Sequence, residues 1–240
     1  MKLTWSQRIL PILFVVGAIC WFVEHRKTMG PLGGLFAEFE QIERIRAAHT
    51  PRERELLIAQ LEVMPERIHS FHSRWLNIYA VEPFECWTED GYDPSRSPVP
   101  RDIQLLAAAV YGIAEIDDGG FTQFFSDSAG GYAPEMVEFF ERSGNAEAAA
   151  RIRKAMAFFG KDFPRSQEAR KRIIDEYKGN ADDALDPETS GEDESAALDR
   201  VTSDGWKMDE LGNRWLREVC GIKDLRTPCP VVSNPAPAKP

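Results

Sequence analysis

Helix punctuation constrains this fold more than any other sequence feature. Between Ala133 and Gly179, start and stop residues alternate with amphipathic runs. Ala133-Pro134-Glu135 opens a run in which Val137 and Phe140 are apolar, and Gly144 stands past its end. Asn145 can cap the next run, where Ala149, Ile152, Met156 and Phe159 recur at helical spacing before Gly160. Ser166 starts a third, with Ile173, Ile174 and Tyr177, closing at Gly179. Asn and Ser side chains satisfy the orphan N–H groups of a first helical turn, proline suits its first position, and glycine suits the residue after the last. Apolar residues three and four apart then form one buried face.

The same grammar extends in both directions. Phe36, Phe39, Ile42 and Ile45 share a helical face. Thr50-Pro51-Arg52-Glu53 carries a cap, a first-turn proline and a capping-box acid, and Leu57 and Leu61 continue that helix. Ile68, Phe71, Trp75 and Ile78 follow Pro65, and residues 82–100 read as a loop. From Pro100 a long helix carries Ile103, Leu106, Ala107, Val110, Ile113 and Ala114, with Asp117-Asp118-Gly119-Gly120 as its stop. Residues 180–195 read as a mobile acidic loop, Met208, Leu211, Trp215 and Val219 as a last helix ending at Gly221, and 226–240 as a disordered Pro-rich tail. No run of alternating β-branched residues interrupts this pattern.

One segment stands apart. Ile9–Val23 holds fifteen residues without a charge, a helix of about 22 Å against a hydrocarbon core of roughly 30 Å. Leu3, Thr4 and Trp5 extend it, Arg8 can snorkel, and Trp5 and Trp21 suit the interfaces. A cleavable signal needs small residues at its cut site, and Ile19 occupies such a position, so an uncleaved anchor is expected. Glu24 and the α-amine lean the topology toward N-terminus inside and domain outside. The fold class read from the sequence is therefore all-α, a compact multi-helix domain behind a single N-terminal membrane helix. Residues 1–34 form anchor and spacer, 35–80 a helical lead-in, 81–225 the main helical domain and 226–240 the tail.

Charge is uneven. The net value is −10, yet residues 81–144 carry thirteen acids against three arginines, whereas residues 145–180 carry nine bases against five acids. An acidic chain does not replace phosphate counterions, which argues against nonspecific nucleic-acid binding; it permits a basic protein as partner, beside the plain reading of a solvated surface. Arg151, Arg153, Lys154, Arg170, Lys171 and Arg172 are expected on the face opposite the acids, leaving Glu135, Glu138 and Glu141 on an acidic surface. Cys220 and Cys229 are nine positions apart and can pair in an oxidising compartment or remain free thiols; no CxxC spacing exists.

The most distinctive stretch is Glu115-Ile116-Asp117-Asp118-Gly119-Gly120-Phe121-Thr122-Gln123-Phe124-Phe125-Ser126-Asp127. Its glycines allow a sharp turn, Phe121, Phe124 and Phe125 can pin that turn into a core, and Gln123 and the aspartates can bond its amides. One of the two glycines should hold a positive φ. Phe121, Phe124, Ile113, Val110, Phe140, Ile152, Met156 and Trp215 should share one core. The alternative is a ligand-binding or enzymatic cleft lined by Glu115, Asp117, Asp118 and Gln123. Gly119-Gly120 lacks the Lys and Ser/Thr of a phosphate loop. Glu66-x-x-His69 with His72 is half of a di-iron arrangement whose second half is missing. Nucleophile-elbow, zincin and dinucleotide motifs are missing too, so the residues call for no catalytic set, metal or cofactor.

The stretch resembles the signature of a bacterial helical family, the DNA mimic protein 19-like domain. Ala133-Pro134-Glu135, Gly144 through Ala148 and Phe163-Pro164-Arg165 match that family's later motifs in order, and the resemblance covers about residues 75–225. The family pattern has Asn where this chain has Asp118 and Asp127. The resemblance implies a helical domain, and the family's name implies, for one member, charge mimicry of DNA toward a DNA-binding protein. A membrane-tethered interaction module with a basic partner, or with a second copy as a homodimer, is the expectation for function.

Overall fold

The computed structural model describes residues 31–64, 70–79, 87–88, 91–185 and 207–230. The expected anchor at 9–23, with Cys20, lies outside the described residues, as do His69, Cys86 and residues 186–206. Among the described residues no helix is long and apolar enough to cross a membrane. The chain divides into two compact units, Met1–Ile68 and His69–Pro240.

In the first unit α1 (Pro31–Ala47) packs on α2 (Pro51–Glu62). Ile42, Ile45, Leu57, Ile58 and Leu61 are buried, and Gln41 Nε2 donates to Leu57 O at 2.8 Å. The start of α2 follows its sequence: Thr50 Oγ1 accepts from Glu53 N–H at 3.2 Å, and Glu53 Oε2 accepts from His49 N–H at 3.1 Å.

The second unit is built around one long helix. Its elements are α3 (Phe71–Ile78), β1 (Trp87–Thr88), β2 (Gly91–Tyr92), α4 (Arg101–Ser126), α5 (Ala133–Ser143), α6 (Ala146–Met156), α7 (Gln167–Glu176), α8 (Ala181–Leu185) and α9 (Met208–Glu218). Short 3-10 turns run over Pro94–Arg96, Ser128–Tyr132 and Ala157–Phe159. Helix α4 is the hub on which α5, α7, α8 and α9 pack, α6 lies on α5, and α3 lies on α9. Among the described residues the all-α class holds, with one exception too short to show a period of two. The antiparallel β1–β2 pair, in register Trp87↔Tyr92 and Thr88↔Gly91, sits in the expected loop. Asn145 and Ser166 cap α6 and α7 by accepting from Ala148 and Ala169 N–H.

Three expectations change. Helix α3, assigned by sequence to the lead-in, belongs to the second unit, where His72 N–H donates to Asn213 Oδ1 at 2.9 Å. The start of the Pro-rich tail is ordered. Trp75 Nε1 donates to Thr227 O at 2.8 Å, Tyr79 Oη donates to Leu225 O at 3.1 Å, and Asp224 Oδ1 accepts from Arg226 and Thr227 N–H. An indole on α3 and a phenol just past its end need partners for their polar tips, and these carbonyls supply them. Within the expected acidic loop, residues 181–185 form α8, whose Leu185 is buried.

The expected core is largely realised. Ile113, Phe121, Phe124, Phe140, Ile152 and Trp215 are buried, while Val110 and Met156 are half-buried and Ala114 is exposed. Phe125 gathers the aromatic part, with ring centroids 4.8 Å from Phe124, 5.0 Å from Phe159 and 5.9 Å from Phe163.

Candidate functional site

Helix α4 does not simply stop at the glycines. It breaks there, with Gly119 at φ −154° and Gly120 at φ 71°, ψ −174°, and resumes for one and a half turns to bury Phe121, Phe124 and Phe125. The expected positive φ therefore falls on Gly120. Its φ/ψ combination is open essentially to glycine alone. Since a Cβ there would touch nothing within 4 Å, strain alone sets the cost of Gly120→Ala. The expected loss is about 1–3 kcal/mol, read by urea denaturation of the full chain; an unchanged midpoint would show that the break relaxes freely.

Gln123 and the exposed acids of the turn serve one another and solvent, while Asp117 is half-buried. Gln123 Nε2 donates to Asp118 Oδ2 at 3.0 Å, and Asp118 and Asp127 are exposed while Glu115 is half-exposed. Of the four residues expected to line a cleft, Gln123 and Asp118 are bonded to each other. Asp118 here accepts a bond that the family's Asn oxygen could accept equally. Among the described residues no group of three or more His, Cys, Asp or Glu side chains is placed to hold a metal ion.

The three glutamates expected on an acidic surface are instead engaged by arginines. Glu135 is only 1% exposed. Arg101 Nη1 donates to its Oε1 at 3.1 Å, and Arg165 grips both of its oxygens, with Nη2 at 3.0 Å from Oε1. Glu138 accepts from Arg101 at 2.6 Å and from Arg142 at 3.3 Å, and Arg142 also reaches Asp102 at 2.7 Å. Burial alone would raise the Glu138 carboxyl, but these arginines outweigh it and hold the group below the ordinary carboxylate range. Glu141 pairs with Arg153. The expectation that bases and acids occupy opposite faces fails along α5 because its polar flank is where α4, α6 and the 163–166 turn bring their arginines.

A further arginine was not anticipated as structural. Arg170 is fully buried, and its guanidinium donates to the carbonyls of Phe125, Asp127, Ser128, Pro164 and Arg165 at 2.6–3.3 Å. It fastens the end of α4 to the start of α7. Burial pushes its pKa down to about 10, so it remains a cation at neutral pH, solvated by carbonyl dipoles in place of water.

A sequence profile described as DMP19-like protein matches residues 97–218, just over half of the 240 residues. The chain belongs to the DMP19-like protein family. No curated protein and no solved structure matches it. The DMP19-like stretch runs from the approach to α4 through α9, so the glycine break, the α5 glutamates and the Arg170 clasp all lie inside it. Two motifs noted as separate, Ala133-Pro134-Glu135 and Phe163-Pro164-Arg165, are one device in this DMP19-like fold: the acid of the first holds the base of the second.

Proposed function

We propose that this chain is a protein-interaction module that recognises a basic partner through the glycine break of α4, tethered to a membrane by residues 9–23 with the domain on the extracytoplasmic side. One observation carries the recognition surface. The acids of α5 are neutralised within the fold, whereas Glu115, Asp118 and Asp127 form no ion pair among the described residues. Negative charge beside such a turn attracts a cationic surface, with an affinity that falls as salt rises. The anchor reading rests on the uncharged run and its flanking tryptophans.

The test replaces Glu115, Asp118 and Asp127 with Gln, Asn and Asn in the full chain, kept in native membranes, and measures partner capture at several salt concentrations. Capture should fall several-fold and lose most of its salt dependence. Capture indifferent to both the substitutions and salt overturns the acidic turn as the recognition surface. Separately, alkaline carbonate should leave the chain in the membrane pellet; release into the wash overturns the tether.

A further inference from the structure

Two polar-tipped aromatics at the end of α3 receive a turn from the far end of the chain. The rings of Trp75 and Tyr79 lie 5.1 Å apart, and Trp75 is fully buried. The N–H of a buried indole requires an acceptor, and leaving it unpaired costs stability. Both aromatic tips find their acceptors in residues 224–227: Trp75 Nε1 donates to Thr227 O at 2.8 Å and Tyr79 Oη to Leu225 O at 3.1 Å.

That turn holds its own shape. Asp224 Oδ1 accepts from Arg226 N–H at 2.9 Å, from Thr227 N–H at 3.0 Å and from Thr227 Oγ1 at 3.2 Å, and Thr227 N–H also reaches Asp224 O at 3.3 Å. Pro228 biases Thr227 toward an extended backbone. The amides of Arg226 and Thr227 are thus satisfied within the turn. What it offers the domain is two carbonyls and one buried apolar anchor, Leu225, while Lys223, Asp224, Arg226 and Pro228 stay exposed. Ledge and turn both fall outside the family-matched residues 97–218, so their pairing joins the two flanks of the DMP19-like stretch.

We propose that the Trp75–Tyr79 ledge is a docking site for an Asp-Leu-x-Thr-Pro turn of a partner protein, and that residues 224–228 occupy it in cis as a built-in competitor. Seating needs one leucine, two carbonyls and a turn that is already folded, so a foreign segment of the same chemistry meets the same donors at little ordering cost. The cis turn keeps the ledge covered by proximity, since a short linker gives an effective concentration in the roughly millimolar range. A second copy of this chain is a poor source of the turn. Ile222 is buried, and its N–H returns to Leu216 O at 2.9 Å, which pins the chain to the end of α9. From Ile222 to Leu225 the chain spans about 11 Å at full extension, no more than the width of one helix with its side chains. Two domains cannot exchange turns across so short a span unless α9 gives up Ile222.

The experiment uses the full chain with Asp224→Ala and Leu225→Ser together, which disables the cis turn and leaves the ledge intact. The ligand is a fluorescent synthetic peptide of residues 222–231 carrying Cys229→Ser, and binding is read by polarisation. The opened chain should bind it roughly ten-fold more tightly than the parent chain does. Tyr79→Phe removes one donor and should weaken binding to the opened chain about five-fold. A peptide that also carries Asp224→Ala should bind about ten-fold more weakly, because its turn no longer closes. Equal binding by the opened and parent chains, or equal binding of a scrambled peptide, overturns the proposal. If the opened chain loses its fold, the parent chain supplies the answer. It is exposed to millimolar peptide with a photoreactive group in place of Arg226. Trypsin leaves Trp75–Arg96 as one fragment, and that fragment should carry the label. Label elsewhere, or none, overturns docking at the ledge. Sedimentation of the parent chain should show no dimer that Tyr79→Phe dissociates; such a dimer gives the ledge to a second copy and overturns the foreign partner.

Discussion

Arg170→Ala should cost about 4–6 kcal/mol, the largest loss expected from any single substitution in the domain. The guanidinium is the donor for five main-chain carbonyls drawn from two segments, Phe125–Ser128 and Pro164–Arg165. Removing it takes a donor from each of those oxygens, of which Asp127 O keeps the Gly130 N–H at 3.3 Å, in a site where solvent does not reach the side chain that served them. Arg170→Lys should recover little of the loss. An ammonium presents its donors from one nitrogen, whereas the clasp uses all three guanidinium nitrogens to span two segments. Denaturant unfolding of the two variants beside the parent chain checks both statements. A lysine variant as stable as the parent would mean that charge alone matters there and that the carbonyl geometry does not.

Glu135→Gln should cost about 3 kcal/mol, and the loss should shrink when Arg165 is replaced as well. The carboxylate is buried between Arg101 and Arg165, whose side chains are 41% and 30% exposed. Each arginine can therefore recover some water when its partner is neutralised, which places the expected cost at the low end for a broken buried pair. In the Glu135→Gln, Arg165→Met cycle, the double variant should be more stable than the sum of the single losses predicts. Additive losses would show that the two residues do not depend on each other.

What could be read from the sequence is what neighbours along the chain decide. Thr50, Asn145 and Ser166 each cap the helix they precede because the bond is made within three residues. The glycine break was legible for a similar reason: two glycines after two aspartates cannot continue a helix at low cost. Ion pairs were not legible, since which arginine meets which acid depends on how α4, α5 and the 163–166 turn assemble. A trace was nonetheless present. Glu135 shares the stripe of Met136, Phe139 and Phe140, and Arg170 stands one turn before Ile174, so both charges occupy positions that the helical period reserves for the core. A charge on an apolar stripe marks a buried, partnered ion better than it marks a surface. The tail misled in the opposite sense. Its prolines suggested disorder, but the deciding fact was elsewhere, in the need of Trp75 and Tyr79 for acceptors.

Gly91, in the two-residue strand β2, limits how this arrangement can change. At φ 111° it lies so close to the Arg165–Ser166 peptide that an added Cβ would come within 2.4 Å of the Arg165 carbonyl. The strand thus acts as a backstop for the main chain that aims Arg165 at Glu135. Any side chain at position 91 would push that main chain away, and the damage would surface at a carboxylate on a different helix. Positions 91, 135 and 165 consequently share a single mutational tolerance: a lineage that loses the glycine must also rebuild the ion pair, or abandon it for apolar packing, before the domain regains its footing.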